Sequence, residues 1–272
     1  MTAGAATAGK RLPERLREHN TTLVAAGVAF YGFLAFIPAL IAAVSIYGLV
    51  ANPSDVKNQV KSIASALPEE VQKFLNFQLT SIINANRAGV SVTLAVSIII
   101  ALWSASGGMA ALISGIHVAH EADEPKGFVK KKSKALALTL GAIVVLLVVV
   151  VLVTALPSLI DNVVGGGTRT FINVVRWPIV ALVMLVSIGL LYRLSVGHHG
   201  RWFGIISEGS LIATVGWLAL SVLFAFYTAN FASYAKTYGS LATIVVLLLW
   251  LWLSALVVLV GAEFDAANPT SG

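Results

Sequence analysis

The sequence predicts an all-α integral membrane protein with six transmembrane helices and both termini in the cytoplasm. Three observations carry that expectation. Only 11% of the 272 residues are charged while 58% are hydrophobic, whereas a soluble domain carries roughly a quarter charged residues to cover its surface. Mean hydropathy is +0.89. Six mostly apolar stretches follow one another along the chain, each near or above the roughly 20 residues that a spanning helix needs.

Residues 1–20 read as a cytoplasmic N-terminal tail holding Lys10, Arg11, Arg15 and Arg17. The apolar run after it is too long for a signal peptide and lacks a small-residue cleavage pattern. A transmembrane domain then occupies 21–265, with residues 266–272 as a second cytoplasmic tail. The first span covers residues 21–50, with Pro38 as the expected kink. The segment 53–87 is the one large connection and is placed on the outer face. Asn52-Pro53-Ser54-Asp55 signals a helix start there, and Val56, Val60, Ile63 and Leu67 follow at helical spacing. A second amphipathic helix starts at Pro68-Glu69-Glu70, with Val71, Phe74, Leu75, Leu79, Ile82 and Ile83 on one face. These two helices would lie on the outer leaflet or form a lid.

The second span covers 88–119 and the third 135–160. The fourth, 176–193, is bounded by Arg176 and Arg193, whose long side chains can snorkel to the two interfaces. The fifth covers 203–232 and the sixth 241–262. Orientation follows from the cations. Lys126, Lys130, Lys131, Lys132 and Lys134, together with Arg193 and Arg201, collect on the same side as the N-terminal cluster, and positive residues mark the cytoplasmic side. The pI of about 9.7 therefore reflects membrane topology, and no nucleic-acid partner is expected. With no cysteine in the chain, disulfides and thiolate metal sites are excluded.

The polar residues inside this apolar frame are few. The five histidines, His19, His117, His120, His198 and His199, are scattered over three regions without accompanying carboxylate spacing. No metal site, cofactor or catalytic group is expected from them. Glu208 stands about a turn inside the fifth span. There it would either pair with Arg193 or Arg201 near the interface or act as a coupling carboxylate. Ser207, Ser210, Thr214, Ser221 and Thr228 share one face of that span. Ser104, Gly108, Ala111 and Gly115 do the same in the second. Either stripe serves close helix packing or, with Ser104, Ser210, Thr214, Ser221 and Thr228, lines a polar groove. Glu263 and Asp265 close the sixth span, where pairing with the basic segments is expected.

The hairpin Phe231-Ala-Ser-Tyr-Ala-Lys-Thr-Tyr-Gly-Ser-Leu241 joins the last two spans on the outer side. Gly239 allows the turn, and tyrosines anchor at the interface. Asn230, Tyr234 and Tyr238 are candidates for an outer gate.

Several of these segments resemble the YihY/BrkB family of bacterial inner-membrane proteins. Ala25-Ala-Gly-Val-Ala-Phe-Tyr-Gly-Phe-Leu-Ala-Phe-Ile-Pro38 is similar to its first span, and Leu102-Trp-Ser-Ala-Ser-Gly-Gly-Met-Ala-Ala-Leu112 to its second. Glu121-Ala-Asp-Glu-Pro-Lys-Gly-Phe128 resembles its cytoplasmic loop, and Ser233–Leu241 with Gly261-Ala-Glu263 its C-terminal signature. The chain departs from the pattern at Ser207-Glu-Gly-Ser210, where Pro-Gly-Ala is expected, and at His117 and His120, where Asn and Tyr are. The resemblance implies a multi-pass protein of the bacterial cytoplasmic membrane. It carries an old ribonuclease label, together with associations to serum resistance and envelope-lipid export. On that basis a non-enzymatic transporter or flippase-like carrier of an envelope lipid or amphipathic solute is expected. Its partners would be membrane lipids with anionic headgroups and, in a homo-oligomer, further copies of the chain. A cation- or proton-coupled exporter centred on Glu208 and a structural scaffold for envelope assembly are the alternatives.

Overall fold

The computed structural model describes residues 3–50, 87–123, 127–164, 169–196, 206–230 and 240–268. The expectations for the outer amphipathic segment 53–86 and for the hairpin at 231–239 fall outside them. The described residues form seven helices and no strand: α1 (Ala3–Glu18), α2 (Thr21–Val50), α3 (Arg87–Ala119), α4 (Phe128–Val164), α5 (Arg169–Val196), α6 (Glu208–Asn230) and α7 (Ser240–Ala267).

Each apolar stretch named above centres on one of the helices α2 to α7. Over their described residues, four segments are long and apolar enough to cross a membrane: Ile98–Ala119, Trp177–Val196, Glu208–Thr228 and Ile244–Ala267. Their outward faces are oily. Val222 and Phe226 of α6 are 72% and 73% exposed, which a water-soluble surface of this extent would not sustain. Helix ends and apolar ends do not coincide. The helix α4 begins at Phe128, seven residues before Ala135, and α5 at Arg169, seven before Arg176. Hydropathy marks where lipid contact ends, whereas the hydrogen-bonded ladder continues through charged turns. The helix α2 extends across Pro38.

The first 20 residues are more than a tail. Sixteen of them form α1, whose Ala8 is fully buried and packs with Leu12 against Phe264 and Ala267 of α7. Asn20 then turns the chain at φ 49°. Asparagine tolerates this left-handed conformation better than most residues. The Asn20 carbonyl accepts from the amides of Leu23 and Val24, starting α2. At the end of α3, Glu121 takes φ 50°. The Ala122 amide bonds the His117 carbonyl at 2.9 Å and the Glu121 amide that of Val118 at 3.1 Å. This is a Schellman-type stop.

The chain divides into two compact units. One comprises Met1–Ala25, Met109–Ser221 and Ser254–Gly272, the other Ala26–Gly108 and Val222–Leu253. In the second unit, α2 and α3 meet backbone to backbone. A Cβ on Gly108 would lie 3.3 Å from the Gly32 amide nitrogen. The rings of Phe224 and Trp250 pack at 4.8 Å between centroids, joining α6 to α7. In the first unit, Gly115 of α3 faces Leu259 of α7 and Val24 of α2, each 2.8 Å from where its Cβ would be. Two glycines of the small-residue stripe on α3 therefore pack against helices.

Among the described glycines, the tightest approach is between α6 and α7. A Cβ on Gly209 would fall 2.1 Å from the Gly261 carbonyl oxygen. One on Gly261 would lie 2.5 Å from the Gly209 oxygen and 2.6 Å from Tyr192 Oη. No side chain can replace either hydrogen without separating the helices. Gly261→Val is therefore expected to lower the melting temperature of the detergent-solubilised protein, by a destabilisation at or beyond the roughly 1–3 kcal/mol of ordinary overpacking. Gly141→Ala, at a position with nothing within 4 Å, should leave it unchanged or raise it. Equal melting temperatures for Gly261→Val and the wild type would refute the backbone contact.

Candidate functional site

The described polar groups concentrate at one place, the C-terminal end of α7 within the first unit. The uncharged Leu- and Trp-rich run of α7 ends in Gly261-Ala-Glu-Phe-Asp265. Because α7 stays helical to Ala267, Glu263 and Asp265 project on different sides and reach different helices.

Glu263 is 1% exposed. Its Oε2 accepts from Arg15 Nε at 3.2 Å, and its Oε1 accepts from His19 Nδ1 at 2.7 Å and from Thr21 Oγ1 at 3.3 Å. A carboxylate only accepts, so this geometry places a proton on His19 Nδ1. Arg15 spreads the contact further. Its Nη1 meets Glu121 Oε1 at 2.9 Å, and its Nη2 donates to the Ala119 carbonyl at 2.6 Å. One guanidinium thus binds the buried acid of α7, the acid that follows α3, and a carbonyl of α3's last turn. Cations are favoured at such a helix end.

Asp265 does a different job. Its Oδ1 accepts from the Gly209 amide at 2.6 Å, and its Oδ2 accepts from Ser207 Oγ. Ser207 and Ser210 cap reciprocally, each amide donating to the other's hydroxyl at 3.0 Å. An N-terminus of α6 closed by a serine pair and a carboxylate is favoured by both the free amides and the dipole. It also explains why α6 starts at Glu208, later than the apolar stretch. Glu208, in that first turn, accepts from Asn268 Nδ2 at 2.9 Å.

A third seam ties α3 and α4 to the end of α5. The Ser195 carbonyl accepts from Lys134 Nζ and pairs with His117 Nε2, both at 2.5 Å. The His117 imidazole is buried, and among the described residues its Nδ1 and the Ser195 hydroxyl have no hydrogen-bond partner. The Tyr192 hydroxyl, also on α5, donates to the Val258 carbonyl of α7.

The candidate groove residues are distributed as follows. Ser210 and Thr214 are buried, Ser221 and Thr228 half-buried on α6, and Ser104 half-buried on α3. The α6 hydroxyls donate to their own helix: Ser210 to the Ser207 carbonyl, Thr214 to Ser210, Ser221 to Trp217 and Thr228 to Ala225. Their donors are therefore used locally. Asn230 ends α6, while Tyr234, Tyr238 and Gly239 lie outside the described residues. Among the described residues, no three of His, Asp and Glu are grouped to hold a metal. Sequence reasoning missed Arg15, His19, Thr21, Glu121, Tyr192 and Asn268. The spacing of Ala8, Leu12 and Leu16 was the available signal that α1 has an inner face.

Long helices with lipid-exposed apolar faces, joined by buried ion pairs and caps at their ends, define an integral membrane protein. The model of the family described as virulence factor BrkB matches residues 12–270, and the chain belongs to that family of multi-pass bacterial membrane proteins. It is 29% identical over 264 residues to the ribonuclease-like protein YfkH of Bacillus subtilis, covering 94% of this chain and 93% of the relative. A UPF0761 membrane protein of Idiomarina loihiensis is 24% identical over 261 residues, covering 93% and 87%. One from Tolumonas auensis is 41% identical over 88 residues, covering 31% and 28%. No solved structure matches the chain significantly.

Breaking the buried seam from one side leaves an uncompensated charge. Glu263→Gln and Arg15→Gln are each expected to destabilise by about 3 kcal/mol, read as a lower melting temperature. The double variant should cost clearly less than the sum, since the two residues share one interaction. Arg17→Gln, on the exposed side of α1, should stay within about 0.5 kcal/mol of the wild type. Strict additivity of the first two would remove Glu263 from its place at the centre.

Proposed function

We propose that this protein is a non-enzymatic carrier of an envelope lipid or amphipathic solute, with six spans and both termini cytoplasmic. One observation carries the reading: α6 is polar along one side and oily along the other. Ser210, Thr214, Ser221 and Thr228 fall within about 40° of one another at 100° per residue, while Leu211, Val215, Val222 and Phe226 on the other side are exposed. Ser221 and Thr228, the half-buried members of the stripe, spend their donors on their own helix and so present oxygen lone pairs. A headgroup carrying ammonium or hydroxyl donors would suit them.

A coupling role for Glu208 has less support. In the first turn of α6 and bonded to Asn268, it serves the helix end, where a carboxylate is favoured without any transport role. The ribonuclease-like name of the Bacillus subtilis relative brings no hydrolytic residue set to this chain. A scaffold for envelope assembly remains the reading if nothing moves.

The test is reconstitution in liposomes with lipid scrambling and ion flux assayed in parallel. The carrier reading expects lipid transfer that Ser221→Phe slows about fivefold or more, the rate equivalent of roughly 1 kcal/mol, with Glu208→Gln near wild type in rate. Ion flux lost in Glu208→Gln, without lipid transfer, would favour the exporter. Failure of both assays with folded protein sinks both transport readings.

A further inference from the structure

The opening turns of α4 combine two properties that rarely share a solvated surface. Phe128 and Val129 are 72% and 75% exposed. They are followed at once by exposed Lys130 and Lys131, half-buried Lys132 and, after Ser133, Lys134. The first turn of the helix holds no acid of its own, so this end of α4 is basic and carries the positive end of the helix dipole. Burial lowers the pKa of Lys132, and burial followed by repulsion from Lys130 lowers that of Lys134. Lys134 is held by the Ser195 carbonyl, which fixes this turn against the end of α5.

Position along the helix selects the partner. The uninterrupted apolar run starts at Ala135, so Lys130 to Lys134 lie about 2–8 Å outside it at 1.5 Å per residue. That is the depth of the headgroup layer, roughly 5–8 Å on each side of the hydrocarbon. Side chains on a helix lean toward its N-terminus, here away from the hydrocarbon and toward the phosphates. An acidic soluble protein would also complement the charge. However, it would have to reach lysines lying within the headgroup layer, where lipid phosphates are already in place.

We propose that the Phe128–Lys132 turn is a docking surface for anionic phospholipid headgroups, with the lysines pairing phosphate and Phe128 and Val129 entering the interface. This deepens the lipid reading above by giving it a recognition surface. It rests on α4 spanning the membrane, while lipid movement is a separate question.

The experiment uses the full chain in bilayers of phosphatidylcholine, with spin-labelled phosphatidylglycerol or phosphatidylcholine as probes of the boundary lipid. The wild type is expected to prefer phosphatidylglycerol by about threefold to tenfold at low salt, with the preference shrinking as salt rises. Lys130→Gln/Lys131→Gln/Lys132→Gln should reduce the preference at least threefold, with its melting temperature in neutral lipid unchanged. Lys10→Gln/Arg11→Gln should keep it. An unchanged preference in the triple variant overturns the proposal, and is also what an acidic protein partner would give. Displacement of the lipid by millimolar inorganic phosphate at constant ionic strength overturns it too, in favour of a free-anion site. Scrambling is read separately, so an inactive carrier with intact lipid preference counts against transport alone.

Discussion

The buried carboxylate of Glu263 is the constraint around which this end of the molecule is arranged. Taking such a group out of water costs several kcal/mol even after relaxation. Here the cost is offset by two nitrogen donors and a hydroxyl. All three come from the stretch that ends α1 and begins α2. The arrangement is directional. Arg15 also binds Glu121 and the Ala119 carbonyl, so the N-terminal helix is registered against α3 and α7 together. Ala8 and Leu12, two turns and one turn upstream of Arg15, extend the contact along Phe264 and Ala267. A cationic segment is thereby made part of the fold.

The same logic recurs at three other helix ends of this unit. A helix terminus leaves four amides or four carbonyls without intrahelical partners, and near a bilayer water is a less dependable substitute. The structure supplies side chains from elsewhere: Asp265 of α7 for the amides of α6, Lys134 of α4 and His117 of α3 for the last turn of α5, Arg15 for the last turn of α3. Each cap satisfies one helix and joins it to another. Polar contacts at the ends and glycine contacts along the shafts therefore divide the work. The latter need no polar atoms and gain from close van der Waals approach.

These two kinds of contact were unequally legible in the sequence. The long apolar helices could be read because lipid imposes one requirement, continuous apolar surface, that composition alone reports. The cap at Ser207-Glu-Gly-Ser210 is present as a local pattern that departs from the family motif, but its capping role depends on Asp265, far away in sequence. Arg15 could not be assigned a partner. Glu263 lies 248 positions away and Glu121 lies 106, and no periodicity within α1 specifies which helix it will meet. The Gly209–Gly261 contact was hidden for the same reason. A glycine in an apolar helix is common, and its necessity comes from the neighbour opposite. Periodicity puts the hydroxyls on one face of the fifth span, but it could not show that Ser207 precedes α6 as part of its cap, nor that the others spend their protons on backbone carbonyls.

That last detail narrows the chemistry of the proposed cargo. A hydroxyl bonded to its own backbone keeps acceptor capacity and loses its free donor, so α6 would discriminate against a bare phosphate and favour amine- or polyol-bearing groups. The lysines at the start of α4 have the opposite character, offering donors and positive charge. A phospholipid headgroup carries both kinds of group, a phosphate that suits the lysines of α4 and an ammonium or hydroxyl that suits acceptor oxygens on α6. A small inorganic ion has no second part to offer. On the proposed reading the two surfaces differ in chemistry, donors on α4 and acceptors on α6, and a phospholipid is a class of molecule with a group suited to each.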